Sequence, residues 1–188
     1  VDAPILVVDN RSTDATCTFA EQSGARVLRP LLAMTTWGSL QTGIRYALAQ
    51  GFESVITIDA DGRYEVEEIP TLLKADASAD VVVGYFEDNY SRARRAAWQW
   101  LRFITGFPLR DFVSGFRLYR HSALRVAATP DATLLDYQDI GTLLLMRREK
   151  LGIAEVALPI HTKKPDRSRM FQSWANAIRY VAVSTLLG

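Results

Sequence analysis

The chain has 188 residues, 48% of them apolar, which is enough to bury one sizeable core and is the usual size of a single domain. Its one cysteine, Cys17, excludes an intrachain disulfide framework and points to a reducing compartment, and two histidines make a Cys/His zinc site an unpromising reading. The net charge of +1 hides a split, because most acids lie in residues 1–90 and most bases in 91–188, a distribution suited to a cation on one side and phosphates or an anionic surface on the other.

In chain order, the aliphatic run at residues 5–8 predicts a buried parallel strand that stops at Asp9-Asn10. Ser12, Thr13 and Asp14 offer N-caps for a helix running to Ser23 and ending at Gly24. Residues 25–28 form a second strand, and residues 36–50, with Leu40, Ile44, Ala47 and Leu48 at helical spacing, a second helix stopped by Gly51. The run at 55–58 ends on acid, at Asp59-Ala60-Asp61, with the turn residue Gly62 after it. A helix over 66–74 follows, its first turn rich in acids that suit the helix dipole. Next come a strand at 80–84, a basic aromatic helix at 91–105, a short strand at 115–119, a helix at 137–150, a strand at 153–158 and a last helix at 170–187. Alternation of strands and helices predicts an α/β fold: a sheet covered on both faces, with ligands outside the carboxyl ends of its strands. Asp9 and the Asp59/Asp61 pair both lie at such ends.

Two carboxylates one residue apart at a strand end can share a hard divalent cation with phosphate oxygens, although such a pair alone is more often a solvated turn. Context sharpens the reading. Residues 5–14, ILVVDNRSTD, resemble the strand and DDGSTD segment of family 2 glycosyltransferases, and residues 55–72, VITIDADGRYEVEEIPTL, resemble their strand and DADGQHDPEEIP segment. Residues 111–119, DFVSGFRLY, resemble the D-x-x-SGFR-x-Y segment of the polyprenyl-phosphate sugar-transferase branch. Residues 133–159 look like the region where an acidic helix precedes a strand ending in EVPV, here Glu155-Val156-Ala157-Leu158. The likeness runs from Ile5 to about Arg169.

The resemblance implies a GT-A three-layer sandwich with a mostly parallel central sheet. It further implies transfer of a sugar, with inversion, from a UDP- or GDP-linked donor to a polyprenyl-phosphate or glycan acceptor, assisted by Mg2+ or Mn2+. In similar enzymes the acid matched by Asp9 binds the nucleotide base, and Asn10 belongs to the same nucleotide-binding segment. The acid matched by Asp59 lies by the ribose and metal, and that matched by Asp61 ligates the metal. Asp139, with Asp136 as the other candidate, falls where related enzymes keep the base that activates an acceptor hydroxyl; the simpler reading is a helix cap. Arg117 is placed to pair with a phosphate through its planar fork, and Arg167 and Arg169 match a basic loop that closes over phosphates, or else form a solvated loop.

Family members carry, ahead of the segment matched by Ile5, a strand ending in a stretch like IPAYNE; residues 1–169 are therefore read as a catalytic domain without the usual first strand. Residues 170–188 are read as an amphipathic helix, with Phe171, Trp174, Ile178 and Val181 on one face, packed on the domain or facing a membrane. No signal peptide or spanning segment is read from the sequence, and the expected place is cytoplasmic, peripheral at the inner face of the plasma membrane. Nucleic acid is not among the expected partners. Two positions depart from the family: Arg63-Tyr64 stand for Gln-His after the DADG turn, and Gly84-Tyr85-Phe86 lacks an arginine common in the branch. Competing readings are a non-catalytic nucleotide-binding or scaffold domain and a phosphoacceptor receiver domain; the latter lacks its lysine, since Lys74 lies in a helix and the next is Lys150.

Overall fold

The computed structural model describes residues 3–86, 92–135 and 140–159. Two parallel strands, β1 (Leu6–Val8) and β2 (Arg26–Leu28), pair Val7 with Val27, and helix α1 (Thr16–Gln22) joins them. That helix starts later than its cap candidates suggest. Ser12 N–H is drawn to the Asp9 carboxylate, Arg11 takes a left-handed φ of 66°, and Asp14 instead accepts from Thr16 N at 3.0 Å.

Helix α2 (Thr36–Ala49) is capped as its sequence implies, Thr35 accepting from Gly38 N. It lies close on β1 because Gly43 has no side chain: a Cβ there would meet Val8 Cγ2 at 3.2 Å. A second, four-stranded sheet has the order β3 (Ser54–Thr57), β5 (Arg117–Arg120), β4 (Val81–Phe86), β6 (Ile153–Leu158). β4 and β6 are parallel over six residue pairs, Val81 with Ile153 to Phe86 with Leu158, while β5 runs antiparallel to both β3 and β4. Thus β3, β4 and β6 share one direction and the sheet is mostly parallel. Among the described residues β1 and β3 do not pair, so the strands form two sheets rather than one.

Alternation along β4 and β5 divides the core into two layers. Val81, Val83 and Tyr119 face one side, against Trp37 and Ile44 of α2, Trp98 of α4 (Arg92–Thr105), Leu124 of α5 (His121–Ala127) and Leu143 of α7 (Ile140–Arg148). Val82, Phe116 and Leu118 face the other, against Leu72 of α3 (Ile69–Lys74), which follows a 3-10 turn, Val66–Glu68. Sheet between two helical layers is the expected three-layer sandwich. Helices α5 and α6 (Pro130–Thr133) have no counterpart in the sequence reading. Side chains of α2 satisfy the carbonyls where α5 ends: Gln41 Nε2 donates to Ala127 O at 2.9 Å and Thr129 O at 3.1 Å, and Arg45 Nε to Ala128 O at 3.0 Å.

Candidate active site

Strand β3 ends at Thr57, and the chain turns out through Asp59-Ala60-Asp61. Because β5 runs the opposite way, its start lies beside the end of β3, with Thr57 opposite Arg117. Thr57 Oγ1 donates to Gly115 O at 2.8 Å, and this bond fixes residues 112–116 against the acidic turn. The approach is close enough that a Cβ at Gly115 would fall 2.1 Å from Asp59 Oδ2. No side chain larger than hydrogen fits there without moving the carboxylate. The two sequence segments holding Asp59 and Gly115 are therefore one site.

Tyr64 closes the floor. Its hydroxyl lies 3.2 Å from Ser114 Oγ, Ser114 donates to Gly84 O, and its ring stacks on Phe86 at 5.3 Å. Burial, partly offset by the Ser114 bond, pushes the Tyr64 phenol up to about 12, so it stays protonated. Tyrosine at this departure from the family pattern is thus a packed wall of the site rather than a titrating group.

Burial, then the charge of Asp61, pushes the Asp59 carboxyl above the ordinary aspartate value, against a downward pull from Arg63 and Arg117. Asp61 is exposed and accepts from Arg63 N at 3.0 Å, which holds its carboxylate over the turn. Among the described residues no group of three or more His, Cys, Asp or Glu is placed to hold a metal. The pair nevertheless fits a magnesium or manganese ion completed by phosphate oxygens: two carboxylates, one open to solvent, repel each other in a way a cation would relieve.

Asp9, at the end of β1, is buried at 3% exposure; its Oδ2 lies 3.2 Å from Arg29 Nε and its Oδ1 accepts from Ser12 N at 3.2 Å. Hydrogen bonds, first from the Ser12 side chain and then from Cys17, hold its carboxyl below the usual value. Asn10, beside it, has its side-chain amide engaged within the chain. Its Oδ1 accepts from Met34 N at 2.8 Å and its Nδ2 donates to Met34 O at 2.6 Å, so it staples the loop before α2. Arg117 differs from an open phosphate fork. It is 1% exposed, and donates through Nε to Ser114 O at 2.8 Å and through Nη2 to Phe112 O at 2.9 Å. It shapes the loop that carries Gly115, and its charge reaches Asp59 from behind. Asp136, Asp139, Arg167, Arg169 and the helix expected at 170–188 lie outside the described residues.

Glu155 has a role that its place in a strand motif does not disclose. Each of its carboxylate oxygens accepts from Arg110 N at 2.8 Å, and Oε1 also from Asp111 N at 3.0 Å, so β6 tethers the start of the 110–116 loop. Burial raises the Glu155 carboxyl, opposed by those backbone bonds. Asp111, itself buried, turns the loop by accepting from Val113 N at 3.0 Å. A glutamate within an otherwise apolar strand was the available signal.

No family model matches the sequence. The chain is 29% identical over 176 residues to the undecaprenyl-phosphate mannosyltransferase of Micrococcus luteus, with 85% of this chain and 71% of that protein covered. It is 28% identical over 137 residues to the polyprenol monophosphomannose synthase of Mycolicibacterium smegmatis, with 64% and 52% covered. Among solved structures, glucosyl-3-phosphoglycerate synthase of Mycobacterium tuberculosis, in complex with Mn2+, UDP-glucose and phosphoglyceric acid, matches with a TM-score of 0.65 at 22% identity, over 96% of this chain and 66% of that one. The complex of that enzyme with phosphoglyceric acid alone gives a TM-score of 0.70. These likenesses agree with the family 2 glycosyltransferase resemblance read from the sequence. Its fold is the GT-A fold of these solved structures, and the Asp59–Gly115 contact joins two of the four segments that carry the resemblance. The chain spans about half of the Mycolicibacterium relative.

Proposed function

We propose that the chain transfers a sugar from a nucleotide-diphosphate donor to a polyprenyl phosphate, with inversion at the sugar's anomeric carbon; a glycan is the other acceptor class. The observation that supports this reading is the interlock of Asp59 with Gly115, which sets an acidic pair at a strand end, where a donor diphosphate and a cation would meet. Relatives named for undecaprenyl-phosphate and polyprenol substrates support the lipid acceptor. A divalent cation, Mg2+ or Mn2+, bound by Asp61 and Asp59 would supply charge neutralisation for the diphosphate leaving group.

In the step itself an acceptor oxygen forms a bond to the anomeric carbon as the bond from that carbon to the donor phosphate breaks, and the nucleoside diphosphate departs with the electron pair. A phosphate acceptor is already an anionic nucleophile, so no base is needed, and Asp139 or Asp136 positions the acceptor; a glycan hydroxyl would need one of them to take its proton. Asp9 recognises the base of a UDP or GDP donor from the end of β1, and Arg167 and Arg169 close over the phosphates. The assigned catalytic unit is residues 1–169, with 170–188 as an accessory helix, working peripherally at the inner membrane face. Among the described residues no helix is long and apolar enough to cross a membrane.

The test is incubation with radiolabelled GDP-mannose or UDP-glucose, a short-chain polyprenyl phosphate and Mn2+, followed by extraction into organic solvent. Label in the lipid phase from one donor, abolished in Asp61→Ala, is the expected result. Donor hydrolysis without lipid product would reject the acceptor, and absence of any turnover would favour a scaffold domain.

A further inference from the structure

The turn that carries the acidic pair also carries a cation, which the proposed transfer leaves without a part. Arg63 stands where the family pattern has glutamine, two residues beyond Asp61. Gly62 takes a left-handed φ of 73°, which bends the chain so that Arg63 N donates back to Asp61 Oδ1 at 3.0 Å. The Arg63 side chain is half-buried, and its guanidinium lies over the Tyr64 ring, 5.7 Å from the centroid. Tyr64 is a firm seat, held by Phe86, by Phe116 at 5.1 Å and by Ser114. A guanidinium resting on a ring by its face still directs its N–H donors outward in its own plane. Burial, then Asp61, raises the Asp59 carboxyl, and the Arg63 charge is the first to oppose that rise, so it reaches the acid across the turn.

We infer that Arg63 contacts the donor diphosphate, its guanidinium fork pairing with oxygens of the β-phosphate that leaves the sugar. A guanidinium stays protonated and has no lone pair to offer a metal, so Arg63 cannot ligate the cation that Asp59 and Asp61 would hold. Beside that cation its like charge costs binding, and the arrangement becomes favourable only when an anion meets both. With both acids ionised, a divalent cation leaves this turn net positive, which suits a diphosphate rather than an uncharged group. The contact has a consequence for the reaction. As the bond from the anomeric carbon to the β-phosphate oxygen breaks, the electron pair stays on that oxygen, and a fixed fork beside it stabilises the added charge. Arg63 thereby shares with the cation the neutralisation of the leaving group.

The inference rests on the donor-site reading of Asp59 and Asp61 and is tested by binding rather than by turnover. At about pH 8, above the ordinary carboxylate range, calorimetry measures Mn2+ on the chain alone, then the diphosphates and monophosphates of uridine and guanosine on the Mn2+-loaded chain. Arg63→Gln is expected to bind Mn2+ about threefold more tightly, because a like charge is gone, and the preferred diphosphate on the order of tenfold more weakly, with its monophosphate little changed. Arg63→Lys keeps the charge without the fork, so it should bind Mn2+ as the parent does and recover part of the diphosphate affinity. Circular dichroism of each variant reports its folding. Diphosphate affinity unchanged in folded Arg63→Gln, an equal loss for the monophosphate, or weaker Mn2+ binding in that variant would each overturn the inference alone. A parent chain that binds neither diphosphate would sink the donor-site reading itself, and this inference with it.

Discussion

A missing side chain at Gly115 matters as much as the carboxylates beside it. Gly115→Ala would drive Asp59 from its place, since the added carbon would start 2.1 Å from Asp59 Oδ2. Because Asp59 is proposed to hold the metal, its displacement by about 1 Å is expected to lower turnover on the order of 100-fold, with little change in circular dichroism. Parent-like turnover would show that Asp59 is not used where it sits. The raised Asp59 carboxyl gives a second prediction. Only its ionised form attracts a cation, so affinity for Mn2+ should weaken as pH falls through a titration centred above the ordinary 3.8, and Asp59→Asn should weaken the binding and remove the part of that dependence that Asp59 sets. Calorimetry across that range checks both. Asp59 and Asp61 could be singled out in the sequence as candidates because the chemistry proposed for them is local to a strand end. The parts of Gly115, Arg117 and Glu155 were not, because each rests on an approach between segments distant in the chain.

At the scale of elements, α2 and α5 are joined by polar bonds as well as by packing. Gln41, 1% exposed, is the donor to two carbonyls at the end of α5, and Gln41→Ala would remove the buried bond to Ala127 O, while Thr129 O keeps Arg45 Nη2 and Thr133 Oγ1 as donors. A loss of about 1–3 kcal/mol is expected, read from the urea midpoint; no change would mean water replaces the amide. The main strands and longer helices follow from aliphatic runs and helical spacing. Helices α5 and α6, of seven and four residues, are too short for that periodicity to register, and packing on α2 holds them. Strand direction is not written in residue types either. β5 reads like any apolar strand, yet its reversal is what brings Gly115 to the end where β3 leaves the sheet.

Across the whole molecule, the charge split seen in the sequence takes physical form. Asp9, Asp59 and Asp61 stand at strand ends, and the arginines of α4 and of the residues after it lie in the basic half of the chain. The two separate sheets were not foreseen from individual runs, since pairing between β1 and β3 depends on what lies between them. The fold class itself was readable throughout.

The central claim is that Asp59 and Asp61 form a metal-dependent donor site. Titration calorimetry of the chain with UDP and GDP, with and without Mn2+, and repeated on Asp61→Ala, tests it most directly. Binding of one nucleotide that requires Mn2+ and disappears in the variant is the predicted result; binding that ignores both the metal and the substitution would contradict the claim.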